Sequence, residues 1–201
     1  MNGRLNASIN CVDRWAKSKP DATAIIWEGD TPDQIRRITY RELMQEVCRT
    51  ANILKTLGVK KGEPVAIYMP MVPEAAYAML ACARLGAPHS VVFAGFSAVS
   101  LADRCLDSNC KVIITANEGI RGGKVIPLKK TVDAACDLAP CVKKVLVYQR
   151  TPTEVNMVSG RDVWWHEAAL NERPFCPAVP MDSEDFLFLL YTSGSTGKPK
   201  G

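Results

Sequence analysis

The chain has 201 residues, room for about one domain of typical size and enough to bury a core. Hydrophobic residues make up 47% and charged residues 23%, ordinary globular usage that excludes a disordered, collagenous or low-complexity chain. The formal charge is +4 and the cations are scattered, and no apolar stretch reaches the roughly 18 uninterrupted residues of a spanning helix, so neither nucleic acid nor membrane is expected as a partner.

Eight cysteines, at 11, 48, 82, 105, 110, 136, 141 and 176, together with the sequon Asn6-Ala7-Ser8, would suit a secreted disulfide framework. The opening Met-Asn-Gly-Arg is no apolar signal segment, however, and several cysteines fall in apolar-periodic stretches where a free thiol acts as a small hydrophobe. The expectation is a reduced, cytoplasmic chain, with a nuclear or organellar pool left open. With no CxxC pair and only two histidines, no metal ligand is assigned.

In chain order, residues 1–38 form an opening segment with a short helix near Cys11 to Lys17 and two extended runs, Ala22 to Trp27 and Ile35 to Thr39. The stretch from Glu28 to Pro32 suits the turn of an antiparallel hairpin, which accounts for Glu28, Asp30 and Asp33 without a metal cluster. Residues 39–201 form a second unit. Thr39 and Glu42 have capping-box spacing, and Leu43, Val47, Ala51 and Leu54 recur at helical spacing up to Gly58, placed to end the helix in a left-handed conformation. Val65 to Met69 is a short apolar run, after which Pro73 can open a helix that Gly86 closes. Ser90 to Phe93 reads as a strand, Ser97 as the cap of a helix to about Leu106, Lys111 to Thr115 as a strand, Val125 to Leu138 as a helix and Lys144 to Tyr148 as a strand. Gly160 to Leu170 reads as a further helix, and a connector containing Pro174, Pro177 and Pro180 leads to a last strand, Phe186 to Tyr191. Strands too apolar for one wet face, alternating with amphipathic helices, give an α/β class with a mostly parallel sheet flanked by helices.

The last strand runs into Thr192-Ser193-Gly194-Ser195-Thr196-Gly197-Lys198-Pro199-Lys200-Gly201. Glycines let backbone amides approach an anion, hydroxyls donate to it and lysines neutralise it, so the stretch suits phosphate binding. A flexible linker has a similar composition. Its position after a buried-looking strand and its fixed lysines favour the phosphate. It is not a Walker A loop, because Thr192 stands at the first Gly position and Pro199 follows Lys198 where a magnesium-binding hydroxyl would be, so a P-loop kinase or GTPase is disfavoured.

Along its whole length this segment resembles the phosphate-binding signature of the adenylate-forming superfamily, which includes acyl-CoA synthetases, peptide-synthetase adenylation domains and luciferases. Within it the chain is most similar to the acetyl-CoA synthetase family, through Leu5 to Arg14, Val91 to Arg104, Arg121 to Lys124, Asp162 to Glu167 and the terminal segment. The resemblance covers essentially all 201 residues, in family order. It implies the N-terminal part of the large domain of a ligase that turns acetate and ATP into acetyl-adenylate and pyrophosphate. The CoA thiol then displaces AMP, and Mg2+ accompanies the nucleotide. It implies that Thr192, Ser193, Gly194, Ser195, Thr196, Gly197, Lys198 and Lys200 surround the β- and γ-phosphates. It implies also that Arg121, Gly122, Gly123 and Lys124 bind the nucleotide end of CoA.

Without the family, Arg121 to Lys124 is a solvated turn before a helix starting near Val125. No catalytic residue is assigned within the chain: by resemblance, the acetate pocket, adenine and ribose contacts and adenylation lysine belong to family regions that follow the phosphate segment. The expectation is a fragment, inactive alone and of open oligomeric state, that lacks residues at both ends. Two further readings stay open, a propionyl-CoA or other short-chain acyl-CoA synthetase and a non-catalytic nucleotide-binding or interaction protein. His89 and His166 have no partner at catalytic spacing, Trp164 and Trp165 read as packing residues, and Gly95-Phe96-Ser97 reads as a plain strand-to-helix turn.

Overall fold

The structure, a computed structural model, describes residues 3–192 and 201. A π-helical turn, Ile9–Asp13, runs into α1 (Arg14–Ser18), so the opening helix starts before the expected Cys11. β1 (Thr23–Glu28) and β2 (Ile35–Thr39) pair antiparallel as the turn chemistry requires. α2 (Tyr40–Thr56) opens on the capping box: Thr39 Oγ1 accepts from the Glu42 amide at 3.3 Å, and the Glu42 carboxylate accepts from the Thr39 amide at 2.7 Å. It ends at Gly58, whose φ of +92° suits a residue without Cβ. The Gly58 amide bonds the Lys55 carbonyl and the Val59 amide bonds that of Leu54, a Schellman motif.

After β3 (Val65–Tyr68), α3 (Pro73–Leu85) closes in the same way through Gly86. β4 (His89–Val91) comes next, starting one residue earlier and ending two residues sooner than the run from Ser90 to Phe93. α4 (Ala98–Asp107) is capped by Ser97, whose Oγ accepts from the Ser100 amide at 3.3 Å, and it ends through Asn109 at φ +50°. Beyond it lies β5 (Val112–Ala116).

The turn expected at Gly122-Gly123 is present, but the helix start expected near Val125 is corrected. β6 (Gly119–Arg121) and β7 (Lys124–Ile126) form a hairpin, with Gly122 and Gly123 at φ +56° and +75° as its two-residue turn. α5 (Leu128–Leu138) starts only after Pro127. β8 (Lys144–Tyr148) matches its expected bounds. The helix expected over Gly160 to Leu170 is instead β9 (Asp162–Trp164) followed by α6 (Trp165–Leu170), because Asp162 is drawn into the sheet beside Val145. The last strand shortens to β10 (Phe188–Leu189).

Six strands form one parallel sheet in the order β10-β4-β3-β5-β8-β9. β3 and β5 are buried at every position, as a sheet covered on both faces requires. Right-handed crossovers put α3 on one face and α4 and α5 on the other. The packing agrees, since α2 touches α3 and α6 while α4 touches α5. From β3 the chain crosses to β4 on one side, and from β5 to β8 on the other. The crevice beyond the carboxyl ends of β3 and β5 is therefore a topological switch point.

The sequon has a structural use. Asn6 Nδ2 is buried and donates to the carbonyls of Ala83, Arg84 and Val179 at 2.9, 3.2 and 2.8 Å, which leaves no access for a glycan. Beside it the buried Arg84 guanidinium grips Asp13 through two bonds of 2.7 and 2.9 Å. All eight cysteines are free thiols and only Cys11 is exposed. Among the described residues no helix is long and apolar enough to cross a membrane.

Candidate functional site

A cavity of about 440 Å3 opens at the switch point, within the size range of small-molecule sites. Its floor is Met69, Pro70 and Val72, where β3 gives way to α3. One wall is the stretch Phe93-Ala94-Gly95 after β4, and the opposite wall is the β6–β7 hairpin with Arg121 and Ile126. The turn between β1 and β2, Glu28 to Asp30, and Arg150 from the loop after β8 complete it.

The Phe93 wall depends on a close approach. A Cβ at Gly95 would stand 2.4 Å from the Phe93 ring, so glycine lets that ring fold back over the loop. Phe93 meets Phe96 edge-on at 5.7 Å, and the Arg121 guanidinium lies 5.5 Å from the Phe93 centroid. The cavity thus has apolar and aromatic sides with a guanidinium held against one ring, an arrangement that can take a planar group and an anion attached to it.

Arg150 is the second cation. Its guanidinium stacks 5.1 Å from the Trp27 centroid and bonds Gln34 at 3.2 Å and Asp30 at 3.4 Å. Trp27 in turn donates from Nε1 to the Met71 carbonyl at 2.7 Å, which ties the hairpin to the end of β3. The backbone of Arg150 is placed by Asn117, which is fully buried just after β5. Asn117 Oδ1 accepts from the Arg150 amide at 2.8 Å, and Nδ2 donates to the Thr151 and Thr153 carbonyls at 2.9 and 3.0 Å.

Of the sequence-derived site residues, the structure brings Arg121 to the cavity and places Gly122 and Gly123 in the adjoining turn. Lys124 stands exposed on β7 and does not line the cavity. Thr192 follows β10, which runs parallel to β4, so it leaves the sheet at the same carboxyl edge. Ser193, Gly194, Ser195, Thr196, Gly197, Lys198 and Lys200 lie outside the described residues. Sequence reasoning missed Phe93, Ala94, Gly95, Asn117 and Arg150. The first three follow β4, next to the point where the strand order reverses between β3 and β5, an order the local sequence does not carry.

Burial pushes the His89 imidazole below its usual pKa, and its buried Nδ1 has no hydrogen-bond partner among the described residues. His166 is exposed beside Trp164. Among the described residues no group of three or more His, Cys, Asp or Glu side chains gathers where a metal ion could be held.

A family profile for the AMP-binding enzyme matches residues 12–201. The acetyl-coenzyme A synthetase of Phycomyces blakesleeanus is 62% identical over 203 aligned positions, covering 100% of this chain and 30% of that protein. Acetyl-coenzyme A synthetase 2 of Pseudomonas aeruginosa is 58% identical over 199 residues, covering 99% of this chain and 31% of that protein. Among solved structures, acetoacetyl-CoA synthetase from Streptomyces lividans superposes with a TM-score of 0.88 at 28% identity, covering 98% of this chain and 30% of that one. The chain therefore spans about 30% of the length of the curated relatives it matches. The profile match, the parallel sheet and its superposition on a solved relative agree: the chain belongs to the AMP-binding enzyme family.

Proposed function

We propose that the protein containing this chain activates acetate with ATP, giving acetyl-adenylate and pyrophosphate, and then transfers the acetyl group to CoA. The observation that carries this reading is the identity of 58–62%, over the whole chain, to relatives named acetyl-coenzyme A synthetase. The carboxylate oxygen is a poor leaving group and AMP a good one, and donors fixed in advance stabilise the charge that develops on the phosphates. Thr192, Ser193, Gly194, Ser195, Thr196, Gly197, Lys198 and Lys200 serve that purpose in the proposal. Mg2+ enters with the nucleotide, as Mg·ATP.

CoA binds through its nucleotide end at the switch-point cavity. Phe93, Ile126 and Leu128 offer an apolar face to the base. Arg121 neutralises phosphate, and Gly122 and Gly123 let phosphate approach the backbone, with Lys124 as an outer cation. The free thiols fit a reducing compartment such as the cytoplasm.

The test is acetate-dependent exchange of pyrophosphate into ATP by the full-length protein, followed by AMP release on adding CoA, with propionate run in parallel. Exchange that ignores acetate overturns the reading, and a preference for propionate reassigns the substrate. Arg121→Ala is expected to leave exchange, which needs no CoA, unchanged while raising the KM for CoA about tenfold, or roughly 1.4 kcal/mol. An unchanged KM removes CoA from the cavity. Lys200→Ala is expected to slow exchange itself.

A further inference from the structure

Two arginines line the switch-point cavity, and they differ in burial. Arg121 stands exposed on the β6–β7 hairpin, against Phe93. Arg150 comes from the loop after β8, and its side chain is only 14% exposed. A guanidinium that far out of water needs partners for its charge and its donors, and Arg150 has few. Both of its side-chain hydrogen bonds leave from Nη2, to Gln34 Oε1 at 3.2 Å and to Asp30 Oδ2 at 3.4 Å. The bond to Asp30 is long for a charge-assisted pair, which closes to about 2.7–2.9 Å. Among the described residues Nε and Nη1 meet no acceptor.

The group is nonetheless firmly placed. Its guanidinium lies 5.1 Å from the Trp27 centroid, and Trp27 is tied to the Met71 carbonyl at 2.7 Å. Its amide is fixed at 2.8 Å by the buried Asn117. A cation held in advance, with spare donors at a cavity wall, is prepared for an anion that needs a planar fork. Asp30 belongs to the exposed turn between β1 and β2 and can turn out to water when a stronger acceptor arrives.

We propose that Arg150 binds the 3′-phosphate of CoA, and that Asp30 is a placeholder which this phosphate displaces. The inference rests on the placement of the nucleotide end of CoA in this cavity proposed above. The 5′-diphosphate of CoA leads to the chain that carries the thiol, and that chain has to leave the cavity. The diphosphate therefore belongs at the exposed Gly122-Gly123 rim with Arg121. The 3′-phosphate is a terminal monoester with nothing attached beyond it, so it suits the enclosed cation. At neutral pH such a group carries about two negative charges, against one on the carboxylate it replaces.

The experiment uses the full-length protein and compares CoA with dephospho-CoA, which lacks only the 3′-phosphate. Arg150→Gln is expected to raise the KM for CoA about tenfold and that for dephospho-CoA far less, so that the discrimination between the two collapses. Arg150→Lys, which keeps the charge but not the fork, is expected to fall between. Asp30→Asn is expected to act in the opposite direction and lower the KM for CoA about two- to threefold, because the phosphate no longer has a carboxylate to displace. If Arg150 only packs the hairpin, Arg150→Gln raises both KM values together and Asp30→Asn brings no gain; either result overturns the proposal. Asp30 is an exposed turn residue, so its variant keeps the test decisive should Arg150→Gln fold poorly.

A second readout needs no activity. Calorimetry with adenosine 3′,5′-bisphosphate is expected to show binding about tenfold weaker in Arg150→Gln than in wild type. A wild type without acetate-dependent exchange, but with this difference in binding, overturns the proposed function and leaves Arg150 a phosphate-binding residue. Equal binding by wild type and Arg150→Gln overturns the proposal. If Arg121→Ala still raises the KM for CoA in that case, CoA keeps its place in the cavity and the role of Arg150 alone fails.

Discussion

The two edges of the parallel sheet are held by opposite means. At β9 the side chain of Asp162 is fully buried and receives Lys129 at 2.8 Å, Arg161 at 2.6 Å and the Val158 amide at 2.8 Å. Lys129 also bonds Asp133 and the Asn156 carbonyl, each at 2.6 Å, so every charge at that edge is met. At β10 Phe188 is 53% exposed, and Phe186 and Leu190 to either side are 75% and 62% exposed. Beside β10, the buried Ser90 Oγ and His89 Nδ1 have no hydrogen-bond partner among the described residues. One edge is locked by buried charge; the other is lightly paired, and just past it the Tyr191 hydroxyl donates to Asp107 Oδ2 at 2.6 Å, at the end of α4. The candidate phosphate segment leaves from the lightly held edge, consistent with binding elements being drawn from the less stable parts of a fold.

The largest contrast is expected from removing one partner of the buried cluster. Asp162→Ala leaves Lys129 and Arg161 to share the single carboxylate of Asp133 and is expected to lower unfolding stability by about 3 kcal/mol. Phe188→Ser at the opposite edge is expected to shift it by no more than about 0.5 kcal/mol. Urea unfolding of the two variants compares the edges directly, and equal losses would falsify the contrast.

Acid sharpens the same point. Burial pushes the Asp162 carboxyl up, but hydrogen bonds from Arg161, Lys129 and the Val158 amide outweigh it and hold the group below the usual aspartate value. A carboxyl depressed in the folded state stabilises fully above its unfolded value, about pH 4, and loses that contribution as pH falls through the folded one. The stability gap between wild type and Asp162→Asn is therefore expected to be constant near neutrality and to close below about pH 4. A gap unchanged at pH 2 would show that the charge is not what locks β9.

The smallest effect concerns the helix that seats Tyr191. Ser97→Ala removes the cap of α4 and is expected to cost about 1 kcal/mol. If the β10 edge depends on α4, hydrogen exchange should rise at Tyr191 and leave Trp164 on β9 unchanged.

Features set by neighbours in sequence were legible from the start. Thr39 with Glu42, Gly58, Pro73 with Gly86, and Ser97 each act within one turn of helix, and each ends or begins its helix as read. β9 was hidden because the partners that bury Asp162 include Lys129, 33 positions away, and Val-Trp-Trp-His-Glu-Ala-Ala-Leu on its own carries a helical pattern. The β6–β7 hairpin was half legible: Gly122-Gly123 gave the turn, but strands of three residues are too short to show a period. The cavity was least legible. Phe93, Arg121 and Arg150 are far apart in sequence and meet only because the strand order reverses between β3 and β5.

The repeated Schellman endings have a consequence for how this fold can vary. Val59, Ala87 and Cys110 each come directly after a left-handed residue, turn inward and deliver the chain toward β3, β4 and β5 with its register already set. One inserted residue at the two short joints, after Ala87 or Cys110, would part the inward-turning side chain from the strand that starts two residues on, and side chains of that strand would face the wrong layer. The amino ends of the strands are thus a gauge of fixed length, which leaves the opposite, ligand-facing end as the place where loops are free to lengthen.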